Sequence, residues 1–404
     1  MKVLMINSVC GIRSTGRICT DIAEVLEKEG HDCKIAYGRE TVPDKYKKYA
    51  VKIGTNFGVK LHAGLSRIFD RSGFYSKHAT KKFIKWVKEY KPDIIHLHNL
   101  HGYFINIEIL FDYLKKANVP VIWTLHDCWA FTGHAAYCEA VACENWKTGC
   151  NRCPQKMKYP SALLFDNSKS NYFRKKKNFT GVANLIIVTP SAWLAGLVKQ
   201  SFLKDYFVRV IHNGIDLSVF KPTLSDFRER YGLIDKKIIL GVASVWEERK
   251  GLNDFIKLSG AINEDYRIVL VGVSKEQFKI LPANIIGIER TNSSQELVEI
   301  YTAADVFLNL TYEDNYPTVN LEAQACGTPV ITYRTGGSIE NVSEWNIVEK
   351  GELRLLLEKI YVIIKENLNS TNTNVEIFDL NNMVSGYTNL YVELLKDSCC
   401  GNVD

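Results

Sequence analysis

Short runs of branched apolar residues recur along the chain, each followed by a stretch with helical spacing, and the series starts twice. The first opens with "KVLMIN" (2–7), followed by "STGRICTDIAEVLEKEG", where Ile18, Ile22 and Leu26 share one helical face and Gly30 is a stop. It continues through "CKIAYG", a helix over 75–90, "DIIHLHN", a helix over 104–117, "VPVIWTLHD", "NLIIVTP" and "FVRVIHNG". The second series begins at "KKIILGVAS" and runs through "YRIVLVG", "NIIGIER", "ADVFLNL" and "TPVITYR". Strand runs alternating with helices build parallel sheets wound with helices on both faces.

The expected fold class is therefore α/β, with two doubly wound, Rossmann-like domains facing across a cleft. The expected boundaries are 1–215, a linker over 216–235 that is polar and broken by Pro222, 236–379, and a last helix and tail over 380–404. That helix carries Met383, Tyr387, Leu390, Tyr391, Leu394 and Leu395, an apolar face that needs a partner. A length of 404 residues agrees with two cores, and 46% hydrophobic with 24% charged residues describes a folded, water-soluble chain. The N-terminus lacks a secretory apolar stretch and no window reaches eighteen apolar residues, so a cytoplasmic protein is expected. Eleven cysteines in a chain this long fit reduced thiols.

Charge is divided unevenly. Residues 1–215 hold 33 Lys and Arg against 17 Asp and Glu, whereas 216–404 hold 18 against 28. Runs such as "KKFIKWVKEYK" and "FRKKKNF" suit an anionic membrane surface or a phosphorylated partner.

Ligands of open α/β sheets sit outside the carboxyl ends of the strands, and each motif that follows lies at such an end. Gly11 and Gly16 open the first helix, where backbone amides suit a phosphate or a sugar hydroxyl, or form a plain tight turn. The spacing matches neither G-x-G-x-x-G nor a P-loop. His126 and Asp127 end a strand, placing an imidazole to bond a ligand hydroxyl with an acid beside it to tune it. His96, His98 and His101 alternate like metal ligands, yet without a matched acid or cysteine they read as loop-building residues, His98 directed at the cleft. Arg249 and Lys250 precede Gly251 and a helix, a setting for a diphosphate. Asp314 stays in a loop while Glu322 lies about one turn inside a ten-residue helix bracketed by Pro317 and Gly327. Two such acids can grip two parts of one ligand, or act as an acid/base pair. Cys138, Cys143, Cys150 and Cys153 have the count of a structural zinc site or are free thiols in a packed insertion.

The segments "HNGID" (212–216), "RKG" (249–251) and D-x7-E-A-x-A-C-G-T-P-V (314–330) resemble the GT-B nucleotide-sugar glycosyltransferases of family 4. The segments "STG", "DRSGFYSKHAT", "PDIIHLHN", "TLHDCWAFTGH" and "CENWKTGCNRCPQ" are similar to the branch that builds capsular and colanic-acid-like surface polysaccharides. The resemblance implies a retaining hexosyltransferase that uses a UDP- or GDP-sugar donor and a glycan acceptor linked to undecaprenyl diphosphate. It implies that Glu322 holds the donor ribose and Asp314 the donor sugar, with the Asn315, Tyr316, Pro317 and Thr318 loop assisting. Lys250 and Arg249 would neutralise the leaving diphosphate, His126 would meet the sugar near the reaction centre, and Gly16 would border phosphate or acceptor. The last helix would cross back onto the first domain.

Two positions depart from that pattern: Asp314 replaces the first glutamate of the family's E-x7-E, and Ser244 replaces its usual arginine six residues before the lysine. No D-x-D occurs, in keeping with a transferase that needs no divalent metal or other cofactor. No nucleic-acid partner is expected, and the protein is placed at the inner face of the cell membrane. The competing readings are an epimerase or phosphorylase on the same fold, a glycosidase using Asp314 and Glu322, and a nucleotide-sugar sensor without catalysis.

Overall fold

The computed structural model describes residues 1–368 and 374–400. The chain forms two compact units, Met1–His212 together with the C-terminal segment from Met383, and Asn213–Asn382.

The first unit is built on seven parallel strands: β1 (Lys2–Ile6), β2 (Asp32–Tyr37), β3 (Ala50–Lys52), β4 (Ile94–Leu97), β5 (Val121–Thr124), β6 (Leu185–Thr189) and β7 (Phe207–Val210). Their order is β3-β2-β1-β4-β5-β6-β7, so the winding reverses between β1 and β4, where Val3 pairs with Ile94 and Ile6 with Leu97. Strands β4 and β5 are buried throughout, as are Val3 to Ile6 of β1, and this two-sided burial is why they read as unbroken apolar runs. The Arg13–Lys28 helix buries Ile18, Ile22 and Leu26, the face its spacing marks. The 3-residue β3 and the helices Asn56–Phe69 and Ser168–Phe179 are additions to the expected pattern.

The last helix, Leu380–Cys400, delivers Met383, Tyr387, Leu390 and Tyr391 into the first unit, each at most 2% exposed. Burying such side chains contributes about 1.5–3 kcal/mol apiece before entropy is counted. Polar groups fix the register. The Tyr391 hydroxyl meets His96 Nδ1 at 2.7 Å, His96 Nε2 meets Thr124 Oγ1 at 2.8 Å, and Thr124 meets the Tyr387 hydroxyl at 3.1 Å.

The second unit has six parallel strands: β8 (Lys237–Val242), β9 (Tyr266–Val271), β10 (Ile285–Ile288), β11 (Val306–Asn309), β12 (Val330–Tyr333) and β13 (Ile347–Val348). Their order is β10-β9-β8-β11-β12-β13, with the reversal between β8 and β11. The stretch expected as a linker is part of this unit. Phe220, Phe227 and Leu233 are buried in its core with Ile215, so apolar anchors outweigh the polar residues and Pro222 between them. Ile215 also pairs with Asp379 in a single parallel bridge: its N–H donates to Phe378 and its carbonyl accepts from Leu380, both at 2.8 Å. Gly214 permits this approach, since a Cβ there would lie 2.7 Å from the Leu380 Cα. Among the described residues no helix is long and apolar enough to cross a membrane.

Candidate functional site

In the second unit the loops after β8 and β11 lie against each other. Gly251 makes this possible: its φ is +77° and a Cβ would come within 2.1 Å of the Leu310 carbonyl oxygen. The Arg249 carbonyl accepts the Tyr312 N–H at 2.7 Å, and the Arg249 guanidinium donates to the Glu313 carbonyl at 3.1 Å and to Glu247 at 3.1 Å. The outcome is a contact between residues 64 apart, Lys250 Nζ to Asp314 Oδ2 at 2.5 Å, with side chains only 19% and 13% exposed. Two residues expected to grip different parts of a donor instead hold each other. Burial alone would push the Asp314 carboxyl up, but the Lys250 and Arg249 charges and the Asn315 N–H hold it below the usual carboxylate range.

Behind this pair, Pro317 caps the Thr318–Ala325 helix, which is shorter than the expected ten residues, and Gly327 at φ +88° releases the chain towards β12. Glu322 lies inside the helix at 4% exposure, its Oε2 accepting the Tyr301 hydroxyl at 3.0 Å. Asn315 and Tyr316 are buried, and the Tyr316 carbonyl accepts from Asn213 of the "HNGID" segment at 3.1 Å.

A network that the sequence reading missed fixes the helix. Asn309 donates to Asn320 at 2.9 Å, Asn320 to Asn341 at 3.1 Å and to the Ser338 carbonyl at 3.2 Å, and Gln324 to the Asn341 carbonyl at 2.9 Å. Thr332 and Ser338 close it at 2.7 Å. Its signal in the sequence is faint: an asparagine ending an apolar strand, and another inside a short helix.

In the first unit His126 follows β5, and its Nε2 meets His98 Nδ1 at 3.1 Å. Burial pushes His126 down to about 4, offset only in part by Asp127, so the ring is neutral at pH 7. Asp127 itself bonds His101 Nε2 at 2.8 Å and the Trp129 N–H at 2.9 Å, which makes His101 its partner where His126 was expected. His98 is buried at 1% exposure with Nε2 unpartnered, and His96 is tied to the last helix.

Gly16 is buried in the first helix and its carbonyl accepts the Gly11 N–H at 3.0 Å. That bond closes a tight turn and withdraws the Gly11 amide from the expected phosphate role.

The cysteine set does not assemble as metal ligands. Among the described residues no three His, Cys, Asp or Glu side chains gather to hold an ion. Cys150 accepts the Gly133 N–H at 3.1 Å, and Cys138 and Cys150 pack on the core. Burial pushes Cys150 up to about 11 and Cys153 up to about 12, so both are neutral thiols.

Comparison with known proteins assigns both units to one group of enzymes. The profile described as Glycosyltransferase Family 4 matches residues 15–219, and that described as Glycosyl transferases group 1 matches 225–374. The chain is 24% identical over 356 residues to WcaC of Escherichia coli (strain K12), named as a colanic acid biosynthesis glycosyl transferase, spanning 84% of this chain and 85% of that one. It is 30% identical over 169 residues to the D-inositol 3-phosphate glycosyltransferase of Mycolicibacterium smegmatis, 38% of each chain. Among solved structures, sucrose-phosphate synthase of Thermosynechococcus elongatus superposes with a TM-score of 0.71 at 16% identity, over 98% of this chain and 99% of that one. Anabaena HepE in complex with UDP-glucose superposes with a TM-score of 0.65 at 15% identity, over 98% and 100%.

Proposed function

Since the chain belongs to glycosyltransferase family 4, with two Rossmann-like domains of the GT-B type, we propose that it moves a hexose from a UDP- or GDP-sugar to a hydroxyl of a growing glycan. The acceptor is a lipid-linked glycan, the product is bacterial surface polysaccharide, and the linkage retains the donor's anomeric configuration. The observation that carries this reading is the Lys250–Asp314 pair at the mouth of the Thr318–Ala325 helix, with Glu322 one turn further in.

In the reaction the acceptor hydroxyl attacks the anomeric carbon, the bond from that carbon to the phosphate oxygen breaks, and the nucleoside diphosphate departs with the electron pair. The acceptor proton passes to the departing phosphate oxygen on the same face. The main demand is stabilisation of charge on that phosphate, best met by cations already held in place. Lys250 exchanges Asp314 for the diphosphate, which frees the Asp314 carboxylate for donor-sugar hydroxyls, while Arg249 adds charge from the same turn. Glu322 accepts from the ribose hydroxyls. The neutral His126 bonds a substrate hydroxyl. No divalent metal is needed when side-chain cations fill this role, and the relatives' names and the WcaC likeness support the polysaccharide assignment.

A panel of nucleotide sugars with lipid-linked acceptors, run with EDTA and read by nucleotide release, tests the proposal. Release with one donor, unchanged by EDTA and abolished in both Lys250→Ala and Glu322→Ala, is expected; full activity in both variants would place the site elsewhere. The excess of basic residues in 1–215 supports attachment to an anionic membrane surface at its cytoplasmic face.

A further inference from the structure

A cavity of about 770 Å³ opens on the first unit between β3 and the helices Asn56–Phe69 and Lys77–Tyr90. It takes in none of His98, His126 or Asp127. Its size falls in the range of small-ligand pockets. Ile53, Phe74, Phe83 and Phe104 form its buried lining, and Leu61 and Trp86 line it nearer to solvent. The exposed Lys52, Lys77 and Lys82 also line it, and no aspartate or glutamate does.

The apolar lining continues outward. Phe57 is 76% exposed and Leu61 53% exposed, one helical turn apart, and Ile68 and Phe69 follow on the same helix. Phe165 stacks on Phe69 with ring centroids 5.6 Å apart, beside the exposed Leu164. Exposed apolar residues in such continuity mark a binding surface.

An occupant must match both features, apolar surface within and uncompensated positive charge at the mouth. The apolar interior suits a hydrocarbon chain and the unopposed lysines at the mouth suit an anionic headgroup, so a lipid matches both. His62, which lines the cavity, already has both ring nitrogens engaged, Nδ1 by Ser76 Oγ at 2.8 Å and Nε2 by the Gly73 N–H at 3.3 Å. We infer that the cavity takes the hydrocarbon chain of an anionic membrane phospholipid, whose phosphate meets Lys77 and Lys82 at the mouth. The inference deepens the membrane attachment proposed above by giving it a site, so that attachment depends on chain insertion as well as on charge.

The test uses the full chain with vesicles of phosphatidylcholine containing phosphatidylglycerol whose chains carry bromine, which quenches nearby indoles. Quenching is expected for the unmodified protein and should largely vanish in Trp86→Phe while vesicle binding persists. Undiminished quenching in Trp86→Phe, or binding that high salt fully reverses without any quenching, would overturn chain insertion; the second result would leave the electrostatic attachment and the transferase reading standing. Lys77→Ala with Lys82→Ala, both at the surface, should weaken vesicle affinity about thirtyfold. Unchanged affinity would overturn the placement of the phosphate.

Discussion

The two units share an architecture and differ in what they bury among their apolar residues. All nine histidines of the sequence lie within residues 1–212, and 213–382 contain none. In the first unit, buried polar positions include imidazoles, with His62, His96, His98 and His134 all below 3% exposure, beside amides and hydroxyls such as Asn7, Asn106 and Thr80. In the second, buried polar positions are filled without imidazoles, by amides and hydroxyls such as Asn309, Asn320, Ser338, Thr332 and Gln324 and by the carboxylates Asp254, Glu313 and Glu322. Both solutions satisfy buried hydrogen-bonding groups. Only the imidazoles titrate near neutrality, so between pH 7 and pH 5 the first unit's buried network changes and the second unit's amides and hydroxyls do not.

Acid should separate the halves most strongly. Burial pushes His62 and His96 down to about 3, below their unfolded value near 6.5. Above pH 6.5 both states are neutral and nothing is lost. As pH falls below 6.5 the unfolded chain takes up protons first, so stability declines until about pH 3, by about 1.4 kcal/mol per pH unit for each ring. At pH 5 the pair together should cost on the order of 4 kcal/mol. Hydrogen-exchange protection measured at pH 7 and pH 5 should fall in β4 and β5 and hold in β8 and β11; equal losses would break the contrast.

Catalysis gives the next largest difference, in the opposite direction. In the proposed mechanism the charge for the leaving phosphate comes from the second unit, so Lys250→Ala should lower nucleotide release by about a hundredfold or more. His126→Asn, which removes one neutral hydrogen bond, should cost about tenfold. The reverse ranking in kcat would move the main electrostatic work to the first unit.

Asn320→Ala sharpens the stability side. It strips donors from Asn341 and the Ser338 carbonyl and an acceptor from Asn309, and should destabilise the second unit by about 2 kcal/mol, equally at pH 7 and pH 5. Urea unfolding at the two pH values measures it, and a pH-dependent loss would contradict the amide assignment. The smallest effect is expected at the surface, where Arg209 makes two bonds to Glu393 at 2.7 and 3.0 Å. Glu393→Gln should lower the melting temperature slightly, and high salt should erase the difference.

What the sequence made legible follows from locality. Apolar runs of four to six residues and helices with regular spacing specify themselves, so β1, β4, β5 and β8 fall where the pattern puts them. The 3-residue β3 and 2-residue β13 are too short to show a pattern. The candidate residues of the second unit could be named from sequence one by one, whereas the pairing of Lys250 with Asp314 could not. Lys250 and Asp314 are 64 positions apart, and Gly251 brings them together by tolerating a contact that no Cβ would allow. His96 and Tyr391 are 295 positions apart, and only the packing of the last helix joins them. The span expected as a linker was misread because its three buried anchors, Phe220, Phe227 and Leu233, are spread among polar residues.

The bridge between Ile215 and Asp379 places the entry and the exit of the second unit side by side. A segment whose two ends already touch is a cassette. Asn213–Asn382 can be cut out and a related segment spliced in through two neighbouring seams, leaving the first unit's strands and its closing helix in their original order. A chimaera built this way joins this first unit to another second unit, and a changed donor in it would support the donor role proposed for that unit.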